Sequence, residues 1–136
     1  EVIKLGKALQ LKDGDAIAVL SIGTMANNTS EAIAEVEKTS AYKIAHYDIR
    51  FLKPLDTAML HNIFSKHQHI ITVEDGVKKG GLGSAVVEFA SEHKYTNTIK
   101  ILGVPDEFPE HATVNELQEL VGISARKIQQ EIEKLI

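Results

Sequence analysis

The chain has 136 residues, the size of one domain, and no cysteine, which excludes disulfides and thiolate metal sites. Its hydrophobic fraction of 43% and charged fraction of 25% are those of a soluble globular domain, and its net charge of −4 gives no electrostatic reason to bind nucleic acid or an anionic membrane. The longest apolar run, Ala16–Leu20, is far too short to span a bilayer. We expect a cytoplasmic protein.

Strands and helices alternate along the chain. The run Ala16–Ile22, apolar except for Ser21, is typical of a strand buried on both faces. The predicted strands are Val2–Leu11 (an edge strand or arm), Ala16–Ile22, Lys43–Ile49, Ile70–Val73 and Ile99–Leu102. The predicted helices carry apolar residues at helical spacing. These residues are Ala32, Ile33 and Val36; Met59, Leu60, Ile63 and Phe64; Val86, Val87 and Ala90; Val114, Leu117 and Leu120; Ile128, Ile132 and Leu135.

This alternation predicts an α/β fold with a mainly parallel sheet covered by helices on both faces, a three-layer α/β/α unit. Asp56 and Ser124 are expected to cap helices at their N-termini, and Gly122 to end one. We expect residues 1–136 to form a single domain with residues 1–14 as an N-terminal arm. Because the chain begins with Glu1 rather than Met, we interpret it as a fragment of a longer protein.

A glycine-rich turn, Gly80-Gly-Leu-Gly-Ser84, precedes the third predicted helix. It is not a dinucleotide fingerprint, because position 86 is valine where the pattern needs glycine, and it lacks the P-loop lysine. We expect Gly81 and Gly83 to be held at positive φ in a tight turn that allows close packing. The alternative is an anion or a subunit contact at the exposed N–H groups of this turn.

Charged residues follow two of the predicted strands. Glu74 and Asp75 could bind a cation or act as acid and base, or they could cap a helix or pair with a nearby lysine, Lys78 or Lys79. Arg50 and Lys53 could hold a phosphate. They could equally pair with Asp48, with Glu74 or with another domain.

Histidines offer two further hypotheses. A metal cluster of His61, His67 and His69 is disfavoured, because the first two are expected on one helix six residues apart and therefore point in different directions. A triad of Ser84, His111 and Asp106 is also disfavoured, because Ser84 lacks the G-x-S-x-G elbow of hydrolases. We expect His111, in a proline-bounded loop, to support loop hydrogen bonds or an interface.

Several segments together resemble the C-terminal domain of the 1-deoxy-D-xylulose-5-phosphate synthases, within the transketolase family. Asp48–Asp56 resembles the family's R-F-[VI]-K-P-L-D motif, and Thr72–Asp75 its T-V-E-E motif. Gly80–Ser84 resembles G-G-x-G-S, and Gly103–His111 resembles G-L-P-D-x-F-x-E-H-G. The departures are mild: Asp75 for glutamate, Val104 for leucine and Ala112 for glycine.

The resemblance implies an enzyme that joins pyruvate and glyceraldehyde 3-phosphate with loss of carbon dioxide, for isoprenoid and thiamine precursor synthesis. It implies thiamine diphosphate and Mg²⁺ between two preceding domains, a pyrophosphate-binding and a pyrimidine-binding domain. No catalytic, cofactor or metal residue is therefore expected on this chain. The domain would buttress its neighbours and contribute to a homodimer. The interface or anion-site candidates are Arg50, Lys53, Glu74, Asp75, Gly80, Gly81, Gly83, Ser84 and His111.

Other functions stay open from sequence. One is a regulatory domain that binds a small molecule in a pocket formed by the glycine turn, Glu74 and Arg50. Another is the C-terminal domain of a transketolase or of a 2-oxoacid dehydrogenase β subunit. The upstream coding sequence would separate these alternatives.

Overall fold

The computed structural model of the protein describes residues 5–77, 81–104 and 124–136. Its strands are β1 (Leu9–Lys12), β2 (Ile17–Ser21), β3 (Ile44–Asp48), β4 (His69–Val77) and β5 (Thr98–Val104). Its helices are α1 (Met25–Thr39), α2 (Thr57–Lys66), α3 (Leu82–Glu92) and α4 (Ala125–Glu133). The predicted helix with Val114, Leu117 and Leu120, and its end at Gly122, lie outside the described residues.

The described strands form one sheet in the order β1-β3-β2-β4-β5. The central strand β2 pairs in parallel with β3 and β4, with Ile17 opposite both Ile44 and His69. β5 extends the parallel part, and β1 runs antiparallel to β3 at the edge. All five residues of β2 are buried, as the apolar run Ala16–Ile22 predicts.

Helices cover both faces of this sheet. Successive residues of a strand point to opposite faces, so Ile17 and Val19 pack in one core cluster while Ala18 and Leu20 pack in the other. The first cluster contains apolar residues of α1 and α4, and the second contains those of α2 and α3. The predicted three-layer α/β/α fold is therefore confirmed.

Both predicted N-terminal caps are present. The Asp56 carboxylate accepts the Met59 N–H at 3.0 Å at the start of α2, and the Ser124 hydroxyl accepts the Lys127 N–H at 3.2 Å at the start of α4. Asp56 also accepts the Ala8 N–H at 2.8 Å through its other oxygen, which fixes the N-terminal arm beside α2.

Strand bounds and two side-chain positions differ from the predictions. Among the described residues, β1 covers Leu9–Lys12 where the sequence predicts Val2–Leu11, and β5 extends from Thr98 to Val104, beyond Ile99–Leu102. β4 begins at His69 and continues to Val77, beyond the apolar segment Ile70–Val73. His67 does not belong to α2, because the helix ends at Lys66 and His67 has an extended backbone that turns its ring into the core. Val87 is 42% exposed, because the buried stripe of α3 runs through Val86 and Ala90.

None of the helices in the described ranges is long and apolar enough to cross a membrane.

Candidate functional site

The carboxyl ends of three parallel strands bring the charged candidates to one edge of the sheet. Ser21, at the end of β2, is opposite Asp48 on one side and Val73 on the other. Arg50 therefore follows β3, and Glu74 follows Val73, at this common carboxyl edge. Ligands of open α/β sheets gather at such edges.

Glu74 is buried against the start of α3. Glu74 is only 5% exposed, and its Oε1 accepts the Gly83 N–H at 3.4 Å. A carboxylate at this position interacts favourably with the helix N-terminus. The contact corresponds to the helix-capping alternative. Because it places a negative charge at the N–H groups of the turn, it argues against an anion ligand at the same place.

The glycines of the turn are required for close approach, and the expectation of positive φ is wrong. Gly81 has a φ of −99°, and Gly83 lies within the first turn of α3. A Cβ atom at Gly81 would overlap the Glu74 carboxylate, and one at Gly83 would overlap the side chain of Ile101 on β5. The tight packing predicted for this turn is present, with space rather than backbone conformation as its physical reason.

Arg50 occupies an unusual turn. Its φ is 63°, its N–H donates to Asp48 Oδ1 at 3.1 Å, and its Nε lies 3.9 Å from Asp48 Oδ2. Pairing with Asp48 was one of the alternatives for Arg50, and the structure supports it. Lys53 is exposed in the following loop.

The remaining candidates are only partly described. Ser84 is a half-buried residue of α3, and Asp75 belongs to β4. Gly80, His111, Asp106, Lys78 and Lys79 lie outside the described residues, so the structure describes neither the triad that the sequence disfavours nor the alternative pairing of Glu74 and Asp75 with a lysine.

The three histidines of the metal hypothesis enter separate hydrogen bonds. His61 Nδ1 lies 2.7 Å from the Tyr95 hydroxyl, and His69 Nδ1 lies 2.6 Å from the Thr98 hydroxyl. His67 is 1% exposed and hydrogen-bonded to Tyr47. Within residues 5–77, 81–104 and 124–136, no group of three or more His, Cys, Asp or Glu side chains could hold a metal ion.

A buried serine–histidine pair escaped the sequence reasoning. His46 Nε2 lies 2.8 Å from Ser21 Oγ, and burial lowers the pKa of His46 to about 4. Such a pair could activate a nucleophile. However, Ser21, which would be the nucleophile, is fully buried, and His46 is only 2% exposed although it lines a surface cavity of about 300 Å³, so the Ser21 hydroxyl is not accessible to a substrate in this structure. The sequence did contain a signal for a buried histidine: His46 lies two residues after Ile44 in a predicted strand, and therefore on the same face.

The described residues do not fit a resident thiamine diphosphate with its Mg²⁺. A metal-bound diphosphate needs a set of oxygen ligands and N–H donors. Among the described residues, no three acidic or histidine side chains lie close enough together to hold a metal ion. The Glu74 carboxylate already accepts from the Gly83 N–H at the start of α3. No chemical step is therefore assigned to that cofactor on this chain.

Comparison with known proteins identifies the family. The family model described as "Transketolase, C-terminal domain" matches residues 6–128. The chain belongs to this family. Its N-terminal arm from Gly6, its sheet and part of α4 all lie within the matched range.

Relatives with curated names agree with this assignment. A 1-deoxy-D-xylulose-5-phosphate synthase of Bacteroides thetaiotaomicron is 49% identical over 98% of this chain, and one of Parabacteroides distasonis has the same identity and coverage. One of Idiomarina loihiensis is 36% identical over the whole chain. In each case the chain spans about one fifth (21%) of the relative's length.

Solved structures support the fold. A structure described as "Split gene transketolase, inactive beta4 tetramer" is 30% identical to this chain. It superimposes with a TM-score of 0.87 over 97% of this chain and 43% of that protein's chain. A transketolase of Campylobacter jejuni, 19% identical, has a TM-score of 0.64 over 95% of this chain and 18% of its own, and shows the fold alone.

Proposed function

We propose that this chain is the C-terminal domain of a 1-deoxy-D-xylulose-5-phosphate synthase. The observation that carries the proposal is the 49% identity to two synthases over 98% of this chain. The whole enzyme would condense pyruvate with glyceraldehyde 3-phosphate, releasing carbon dioxide and forming 1-deoxyxylulose 5-phosphate. It would work in the cytoplasm.

The domain's own role in this proposal is structural. Thiamine diphosphate and Mg²⁺ would bind between the two preceding domains and supply the carbanion chemistry there. The carboxyl edge with Arg50, Lys53 and Glu74 would contact a preceding domain or the second subunit of a homodimer. Support comes from the position of these residues at one carboxyl edge of the sheet and from the long Arg50–Asp48 pair, 3.9 Å between Nε and Oδ2. The candidates Asp75, Gly80, Gly81, Gly83, Ser84 and His111 remain part of the proposed interface.

A second candidate function is the C-terminal domain of a transketolase. The likeness to the split-gene transketolase, at 30% identity over 97% of this chain, favours it. The two functions differ in the donor substrate, since a transketolase takes a ketose phosphate where the synthase takes pyruvate.

An experiment on the enzyme that contains this domain separates the two. With thiamine diphosphate and Mg²⁺ present, the enzyme is supplied with glyceraldehyde 3-phosphate and either pyruvate or a ketose phosphate. Formation of 1-deoxyxylulose 5-phosphate and carbon dioxide from pyruvate supports the synthase. Turnover of the ketose phosphate alone would assign the domain to a transketolase.

A further inference from the structure

Arg50 has a backbone conformation that residues with a side chain rarely adopt. Its φ is 63°, and the turn around it is closed by a hydrogen bond from the Phe51 N–H to the Ile49 carbonyl oxygen at 2.6 Å. Positive φ in such a three-residue turn is rare and strained for an L-residue. Strain of this kind persists where the surrounding structure or the function requires it.

The Arg50 side chain is mostly buried, and its one described ion pair, with Asp48, is long. The side chain is 18% exposed, and its nearest carboxylate oxygen, Asp48 Oδ2, lies 3.9 Å from Nε, too far for a hydrogen bond. An arginine side chain has five N–H donors. Within the part of the chain that the structure describes, none of these donors has an acceptor within hydrogen-bond distance. The Arg50 nitrogens are not among the fully buried, unpartnered atoms of the described residues, so the guanidinium is accessible to an acceptor from outside them.

The N-terminal arm reaches the same edge of the sheet. Leu9, the first residue of β1, is opposite Asp48, and the hydrogen bond from the Ala8 N–H to Asp56 holds the preceding segment there. Residues 5–8 therefore lie at the same edge of the sheet as the turn that carries Arg50. A domain connected through this arm would be close to the guanidinium.

We propose that the Arg50 guanidinium receives a carboxylate side chain from the domain that precedes this one, and that the strained turn is retained because it aims the guanidinium at that partner. This inference rests on the proposed function, because it requires a preceding domain in the same enzyme. A carboxylate matches the planar fork of arginine with two parallel hydrogen bonds. Asp48 lies beside Nε, so the two Nη groups of Arg50 are available for these two hydrogen bonds.

Strain at Arg50 is tested first in the 136-residue chain. Arg50→Gly removes both the guanidinium and the steric cost of positive φ. The matched control is Lys94→Gly, because Lys94 also has positive φ (60°) and is exposed after α3. Both variants are expected to raise the melting temperature, by about 2–4 °C each. A fall in melting temperature for Arg50→Gly alone would mean that Arg50 stabilises its own domain, and would overturn the proposal.

The partner is tested in the multidomain enzyme, with kinetics beside analytical ultracentrifugation and thermal unfolding. Arg50→Gly and Arg50→Lys are expected to uncouple the melting of this domain from that of the rest and to lower kcat at least tenfold, with the KM values unchanged. Lys94→Gly is expected to do neither.

Two results would contradict the inference. Full activity and coupled melting in Arg50→Gly would mean that no partner binds there. A raised KM for glyceraldehyde 3-phosphate alone, with kcat unchanged, would assign the guanidinium to the substrate phosphate. If the unmodified enzyme lacks synthase activity, the proposed function fails, while the melting experiments still decide whether Arg50 joins two domains.

Discussion

The hydroxyl of Tyr47 lies 2.8 Å from Nε2 of His67, and Nδ1 of His67 lies 2.5 Å from the Asp15 carbonyl oxygen. Because a carbonyl oxygen only accepts, Nδ1 carries a proton. Burial lowers the pKa of His67, so Nε2 is unprotonated and accepts from the Tyr47 hydroxyl. Both side chains are buried. The pair thus connects β3 to the end of α2 and to the turn before β2, with His67 neutral.

Removal of the Tyr47 hydroxyl should destabilise the fold. Tyr47→Phe leaves His67 Nε2 buried without a donor, which costs about 1–3 kcal/mol of unfolding free energy. The control is Tyr42→Phe, because Tyr42 is 47% exposed and should tolerate the change. Urea titration measures both. Equal midpoints for the two variants would show that the hydrogen bond contributes nothing.

Stability should fall in mildly acidic solution. Burial lowers the pKa of His46 to about 4 and also lowers the pKa of His67. The unfolded chain therefore binds protons that the folded chain excludes. The stabilisation is complete above pH 6.5 and is lost as the pH falls from 6.5 toward 4, by roughly 3 kcal/mol for His46.

Replacement of His46 tests this pH dependence. His46→Gln should reduce the slope of unfolding free energy against pH between 6.5 and 4 by about one proton. The slope is informative even if the variant is less stable throughout. Parallel curves for the two proteins would exclude His46 as the source.

Gly83 should reject any side chain because of Ile101. Gly83→Val should lower the unfolding free energy by about 1–3 kcal/mol, since overpacking displaces α3 from β5. Ile101→Ala should partly rescue Gly83→Ala, as a double-mutant cycle of melting temperatures would show. The control is Gly23→Asn, because Gly23 has open space but a φ of +68°, which asparagine tolerates. Additive effects of the two substitutions at Gly83 and Ile101 would contradict the steric explanation.

Asp56 should matter more than an ordinary helix cap. Asp56→Ala loses the cap of α2 and the bond to Ala8, whereas Ser124→Ala loses only the cap of α4. A cap alone is worth about 0.5–2 kcal/mol. Hydrogen exchange at the Ala8 amide should accelerate in Asp56→Ala and stay unchanged in Ser124→Ala. Equal protection of Ala8 in both variants would argue that other contacts hold the arm.

The sequence was sufficient wherever the decisive interaction is local. The run Ala16–Ile22, apolar except for Ser21, predicts the central strand, because a strand buried on both faces has few polar positions. Asp56 and Ser124 predict their helix starts, because a cap bonds only three residues away. The resemblance of whole motifs identified the family.

Long-range contacts decided what sequence could not predict. Helical spacing did not show that His67 leaves α2, because its partners Tyr47 and Asp15 are distant in sequence. Position 83 needs glycine because the side chain of Ile101, on β5, leaves no room for a Cβ atom there. Arg50 and Lys94 have positive φ although neither is glycine, whereas Gly81 has negative φ. Such features depend on how elements meet, which periodicity does not encode.

The central claim is that this domain supports a synthase without supplying its chemistry. The most direct measurement is 1-deoxyxylulose 5-phosphate formation from pyruvate and glyceraldehyde 3-phosphate, with thiamine diphosphate and Mg²⁺. It is made on the 136-residue chain alone and on the multidomain enzyme that contains it. We expect no turnover from the chain alone and full turnover from the enzyme. Product formation by the isolated chain, or none by the enzyme, would contradict the claim.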